Sequence, residues 1–229
     1  MREAERLAWL DALGIDVFVP RGRPEEPAAD AGTDRAGGEV ALLDWDALAA
    51  AVAACTRCGE LSAGRTQTVF GVGSRSADWM IVGEAPGAEE DRRGEPFVGR
   101  AGKLLDEMLR AAGRSRDNVY IANMLKCRPP RNRDPSAEEM QYCRGFLERQ
   151  IGLVEPDLIL AVGRIAAQQL LGTDAPLGRL RGTVHLLSGA GIPVIVTYHP
   201  AYLLRTPADK RKAWEDLRLA LRVSRERAA

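Results

Sequence analysis

The chain has 229 residues, 45% hydrophobic and 28% charged, with 32 basic side chains against 32 acidic ones. That is enough apolar material for one sizeable domain with an extension, and too much for a disordered chain. No apolar run reaches the roughly 18 residues a membrane helix needs, and Met1 to Arg6 carries acids where a signal peptide would be apolar, so a cytoplasmic protein is expected.

The zero net charge hides an asymmetry. Residues 1–46 carry 5 basic and 11 acidic side chains, leaving 27 basic and 21 acidic in residues 47–229. A surplus of that size fits an ordinary solvated surface or a weak attraction for a polyanion. Leu7, Leu10 and Leu13 stand at helical spacing before Gly14, and the apolar run from Ile15 to Val19 follows, which predicts a small helix-strand leader. Pro20 to Gly38 is rich in Pro, Gly, Ala and charge and reads as a linker. Residues 1–39 are therefore expected to be an extension and 40–229 the folded domain.

Asp44 is placed to cap a helix running to Ala54, with Trp45, Leu48 and Val52 on one side, which delivers Cys55 and Cys58. Leu61 to Gly73 reads as loop and short strand. From there apolar runs alternate with helical patterns. Strands are predicted at Trp79–Val82, Val119–Ala122, Leu158–Val162 and Val194–Thr197, and helices at Ala101–Ala112, Ser136–Ile151, Arg164–Leu171 and Asp209–Arg222. Arg179 to Leu186 suggests part of a hairpin before the last strand, and Arg218 to Arg227 a solvated helix end. Runs that are apolar throughout and separated by helices predict a three-layer α/β/α sandwich with a mostly parallel, four-stranded sheet.

In such sheets ligands bind beyond the carboxyl ends of the strands. Those ends carry Gly83-Glu84, Asn123, Gly163-Arg164 and Tyr198-His199-Pro200, so a carboxylate, an amide and an imidazole are expected at one edge. The stretch Gly83 to Gly102 adds Gly, Pro and carboxylates directly after an apolar run, the composition of a site loop. The four cysteines, Cys55, Cys58, Cys127 and Cys143, comprise a C-x-x-C pair and two more far along the chain. In a reducing compartment this points to a metal or cluster site before disulfides, and the spacing suits zinc and an iron–sulfur cluster alike.

Gly83-Glu84-Ala85-Pro86-Gly87, Pro96-Phe97-Val98-Gly99-Arg100-Ala101-Gly102, Asn123-Met124-Leu125-Lys126-Cys127-Arg128-Pro129-Pro130 and His199-Pro200-Ala201-Tyr202-Leu203-Leu204-Arg205 occur in that order. With the four cysteines, they make residues 40–225 resemble the family 4, iron–sulfur uracil-DNA glycosylases. The resemblance implies a monofunctional base excision repair hydrolase that flips uracil out of single- or double-stranded DNA and leaves an abasic site. It implies that Phe97 stacks on the base, that Asn123 reads its O4 and N3–H edge, and that Glu90 excludes thymine at C5. It also implies that His199 donates to O2 and that Glu84 serves the sugar or the attacking water, with the amide of Ala85 close by.

From the residues alone, Phe97 could equally be a core ring, Asn123 a turn residue and Glu90 a surface acid. Tyr202, Leu203 and Leu204 are expected at the gap left by the flipped base, one of the two leucines alternatively packing into the core, with Arg205 on phosphate, and Lys126, Arg128, Arg131 and Arg133 as a basic strip facing the backbone. The same resemblance makes Cys55, Cys58, Cys127 and Cys143 ligands of a structural [4Fe–4S] cluster. A monomer is expected, with the acidic extension free to dock a protein partner.

Overall fold

Four runs of five residues, β2 (Trp79–Gly83), β3 (Val119–Asn123), β4 (Leu158–Val162) and β6 (Pro193–Thr197), are buried at every position in the computed structural model, which describes residues 40–228. The expected helix over 2–13, the run over 15–19 and the linker over 20–38 lie outside the described residues. β2 pairs in parallel with β3 on one side and β4 on the other, and β4 pairs in parallel with β6. Residues buried on both faces are what a parallel sheet under two helical layers requires.

The sheet differs from the expectation at its margins: it has six strands and is mixed. β1 (Val72–Gly73) runs antiparallel outside β3, and β5 (Val184–Leu186) runs antiparallel outside β6, giving the order β1-β3-β2-β4-β6-β5. Two and three residues are too few to display an alternating pattern, and their brevity leaves little exposed edge for unwanted pairing. β5 and β6 form the expected hairpin.

Successive strand residues face opposite layers. Met80, Val82, Tyr120, Ala122, Ile159 and Ala161 join one core with α5 (Ala137–Val154) and α6 (Arg164–Leu171). Trp79, Ile81, Val119, Ile121, Leu158 and Leu160 join the other with α4 (Arg100–Ala111) and α9 (Lys210–Ala228). Trp79 also donates from Nε1 to Ser224 Oγ at 3.0 Å, tying the first central strand to the last helix. The shorter helices are α1 (Trp45–Ala54), α2 (Gly59–Gly64), α3 (Ala88–Arg93), α7 (Leu177–Leu180) and α8 (Pro200–Arg205).

Local chemistry sets the helix starts. Asp44 Oδ1 accepts from the Ala47 amide at 2.9 Å, as its position before α1 predicts. At α5, Ser136 Oγ accepts from Glu139 N and Glu139 Oε2 accepts from Ser136 N, a reciprocal cap. Leu48 and Val52 of α1 then pack on Phe146 of α5, which brings the first two cysteines toward Cys143. Among the described residues no helix is long and apolar enough to cross a membrane.

Candidate active site

Parallel pairing puts the ends of β2 and β3 side by side, with Gly83 opposite Asn123. The ladder continues past the strands, since Met124 N donates to Gly83 O at 2.9 Å and Leu125 N to Glu84 O at 3.0 Å. Across the sheet, Gly163 N donates to Thr197 O at 2.9 Å, two residues before His199. The result is a cleft of about 470 Å³ at the carboxyl edge, lined by Glu84, Ala85, Glu90, Phe97, Asn123 and His199, with Tyr202 and Arg205 also on its wall. A hollow of about 560 Å³ elsewhere, between α5, α6 and the β5–β6 hairpin, contains none of these groups.

Phe97 is held in an unusual state. It adopts φ +55° and is buried, with its ring centroid 5.7 Å from that of His199. A left-handed conformation costs a non-glycine residue about 1–3 kcal/mol and persists only where surroundings over-determine it. Two glycines make the room. A Cβ on Gly83 would run into Asn123 Oδ1 and lie 2.6 Å from Phe97 Cζ, and one on Gly102 would strike the Phe97 carbonyl.

Glu90 holds the same loop by its amides. Oε1 accepts from Val98 N and Gly99 N, both at 2.9 Å, and Oε2 from Gly87 N at 3.1 Å. Arg116 holds it by its carbonyls, donating to Pro96 O at 3.1 Å and to Phe97 O, while its Nε donates to Asp106 Oδ1 at 2.7 Å.

Three polar groups complete the cleft. Asn123 is buried and its Oδ1 has no hydrogen-bond partner, a state that costs about 1–3 kcal/mol unless something else supplies the donor. His199 caps α8 by accepting from Ala201 N at its Nδ1, 3.1 Å away, which leaves the ring proton on Nε2. Burial, with the positive charge of Arg205, pushes the imidazole down to about 4 against a smaller opposing pull from Glu90, so it is neutral at pH 7. Burial, with the negative charge of Asp134, pushes the Glu84 carboxyl up to about 7, and Arg164 opposes the shift. A neutral donor and a carboxyl poised near neutrality thus stand in one cleft with an unpaired acceptor.

The sequence model of the uracil DNA glycosylase superfamily matches residues 70–218, the span that contains every strand end lining the cleft. The chain belongs to this superfamily. It is 44% identical to the type-4 uracil-DNA glycosylase of Archaeoglobus fulgidus over 162 residues, 68% of this chain and 81% of the relative. It is likewise 44% identical to that of Thermotoga maritima over 170 residues, 72% of this chain and 87% of the relative. The type-5 uracil-DNA glycosylase of Pyrobaculum aerophilum is 32% identical over 146 residues, 57% of this chain and 64% of the relative. The superfamily match covers Glu84, Asn123 and His199, and leaves Cys55 and Cys58 outside it.

The residues expected on DNA divide sharply. Tyr202 and Arg205 line the cleft, and Arg131 is exposed while Arg128 is half-buried. Lys126 does not face outward: it is fully buried, and its Nζ donates to Asn123 O at 2.8 Å and Gln150 Oε1 at 2.6 Å. Burial pushes its ammonium down to about 7 against the pull of Cys143 and Cys127. Leu203 is also buried, packed with α4 and α9, whereas Leu204 is exposed at the α8 surface. The apolar wedge expected at Leu203 is therefore open only to Leu204. Arg133 reaches the cleft but is held by Glu139 and Glu60. Pro129 and Asn132 also line the cleft, which sequence reasoning missed. Their place two and five residues beyond Cys127, in a Pro-rich turn, was the available signal.

The four thiols gather where α1, the loop after β3 and α5 meet. Burial is the largest cause raising Cys58, to about 12, and also Cys127 and Cys143, and Cys58 is raised further by the charges of the other three thiols. Arg65 donates to Cys127 Sγ at 2.8 Å and to Cys55 O at 2.8 Å. Among the described residues no three Cys, His, Asp or Glu side chains converge tightly enough for a single metal ion.

Proposed function

We infer that the chain is a type-4 uracil-DNA glycosylase, hydrolysing the bond between uracil and deoxyribose and leaving an abasic site. The observation that carries this reading is the buried, unpartnered Oδ1 of Asn123 in a cleft beside an aromatic ring. Uracil offers N3–H to such an acceptor and O4 to the neighbouring amide NH₂, whereas cytosine presents the opposite pattern. A base can reach that acceptor only after leaving the helical stack, so the reaction begins with a flipped nucleotide.

Within the cleft, Phe97 supports the ring by stacking, worth about 1–3 kcal/mol per base. As the glycosidic bond lengthens, negative charge grows on uracil O2. Nε2–H of neutral His199 is the donor that meets it, and preorganised donors of this kind contribute on the order of 3–4 kcal/mol. Positive charge grows on the sugar, where Glu84 as carboxylate offsets it and orients water. Glu90, with both oxygens committed to loop amides, forms a fixed wall on the side assigned to C5 and excludes the thymine methyl. No lysine lines the cleft for Schiff-base chemistry, which favours hydrolysis without strand cleavage.

Cys55, Cys58, Cys127 and Cys143 would hold a [4Fe–4S] cluster. A single tetrahedral zinc needs thiolates about 3.8 Å apart, given Zn–S bonds of about 2.3 Å. Four cysteine thiolates are the ligand set of such a cluster, and the likeness to type-4 enzymes supports it over zinc. Its contribution is a tie between α1, α5 and the loop that follows Asn123, which also aims Arg128 and Arg131 at the DNA backbone. Free thiols fit a cytoplasmic setting, and the acidic extension would serve a protein partner.

The test is to incubate the protein with a uracil-containing oligonucleotide, treat with alkali and separate the products on a denaturing gel. Breaks that appear only after alkali are expected. A stable protein–DNA adduct would point instead to a covalent trap, and intact DNA would overturn the reading.

A further inference from the structure

We propose that Arg116, which lies in the loop between α4 and β3 and outside the cleft, is a positioning residue that sets the stacking ring and thereby the choice of base. The inference rests on the uracil-glycosylase reading of the cleft. Its basis is the way the segment from Pro96 to Gly99 is gripped. Glu90 takes the amides of Val98 and Gly99, and the guanidinium of Arg116 takes the carbonyls of Pro96 and Phe97. Four successive residues are thus fixed by one carboxylate and one guanidinium.

Arg116 is itself aimed, because its Nε is spent on Asp106 Oδ1 at 2.7 Å and both partners are half-buried. Asp106 belongs to α4, the helix whose first residue, Arg100, follows the gripped segment directly.

Phe97 sits at φ +55°, where an aromatic residue does not stay without outside constraint. Glu90 holds the peptide after Phe97 from its Val98 N–H side, and Arg116 holds the same planar unit from its Phe97 carbonyl side, so the orientation of that peptide is set from both edges. Nη2 of Arg116 donates to the Phe97 carbonyl and Nη1 to the Pro96 carbonyl, and the missing Cβ of Gly102 is what leaves room for the Phe97 carbonyl. A planar fork with several donors can hold two carbonyls at once, and a lysine ammonium on a flexible stem holds them with less geometric control. Release of the lock would let the Phe97 backbone relax toward an ordinary conformation. The ring would leave its place beside Asn123 and His199, and the loop carrying the Glu90 wall would loosen with it. Base stacking and exclusion of a 5-methyl group then weaken together, although no atom of Arg116 touches the base.

The experiment uses the full chain and three variants, Arg116→Gln, Arg116→Lys and Asp106→Asn. A single-stranded uracil oligonucleotide gives kcat and KM without the cost of opening a duplex. Inhibition by free uracil reports the ring-binding pocket alone, and the matching thymine oligonucleotide reports discrimination. Thermal midpoints are recorded in parallel.

For Arg116→Gln the expected result is a rise of at least ten-fold in both KM and the inhibition constant for uracil, and a uracil-to-thymine rate ratio at least ten-fold lower. Arg116→Lys is expected to recover part of each effect, and Asp106→Asn to fall between Lys and wild type. Values for Arg116→Gln within two-fold of wild type, whatever its melting temperature, would overturn the proposal. If Arg116→Gln does not fold, the lysine and asparagine variants decide by the same ratios. A wild-type protein inert on uracil would remove the functional reading and this inference with it, while an active wild type and indifferent variants remove the inference alone.

Discussion

At Glu84 burial favours the protonated acid and at His199 it favours the neutral base, so one cause moves two groups in opposite directions. Glu84 titrates near 7 in the fold against about 4.5 when unfolded. The folded state therefore binds this proton more tightly, and the stability it contributes is present below about 4.5 and lost as pH rises through 7. Glu84→Gln should melt like wild type near pH 4.5 and above it at pH 8, as thermal scans across that range will record. If the carboxylate is the working form, wild-type kcat should rise with pH to a plateau above about 7. His199, at about 4, adds no limb in that range.

Asn123 carries a second opposition between stability and function. Asn123→Ala removes an orphaned acceptor, so its melting temperature should hold or rise. Its kcat/KM should fall by roughly 5- to 150-fold, the equivalent of about 1–3 kcal/mol.

At the scale of elements, α8 has six residues and divides its two leucines between core and surface. Leu203→Ala should cost about 2–5 kcal/mol in denaturant unfolding, as buried leucines do. Leu204→Ala should leave stability within about 0.5 kcal/mol and slow cleavage of duplex more than of single-stranded uracil DNA. A ratio of duplex to single-strand rates unchanged from wild type would remove Leu204 as the wedge.

The same helix marks a limit of sequence reading. Adjacent leucines in a six-residue element offer no repeat from which to tell inward from outward, whereas the unbroken apolar runs within β2, β3, β4 and β6 declared their burial directly. The cleft was legible because Glu84, Asn123 and His199 each sit at or just beyond a strand end, where parallel topology leaves no other place for them. Lys126 was misread for a physical reason: next to Cys127 and Arg128 an ammonium looks like surface charge, and the Asn123 carbonyl and the distant Gln150 are what make its burial tolerable. Arg116 gave no signal at all, because its grip on the loop is through backbone carbonyls and its one carboxylate partner, Asp106, lies ten residues away.

For the molecule as a whole, these placements separate charges open to solvent, which we propose contact DNA, from charges that hold the fold. Arg128→Ala and Arg131→Ala should each reduce the slope of log affinity against log salt by about one. Lys126→Met should leave that slope unchanged and lower iron retention and melting temperature instead, since Lys126 sits between Asn123 and the thiols of Cys127 and Cys143. Filter binding over a salt series and iron assay of the purified variants separate the two outcomes.

The indole of Trp79 bonded to Ser224 spans 145 positions of chain. The strand that ends in Gly83, just before Glu84, is clamped on one face by the helix containing Ser224, so the seating of the cleft depends on a segment distant in sequence. Non-local pairings of this sort slow folding, because loop closure is paid before contacts return anything. During synthesis, therefore, β2 and β3 can meet early, yet β2 reaches its final setting only after α9 arrives. A variant truncated before α9 should therefore bind no uracil, which binding measurements on that truncation will check.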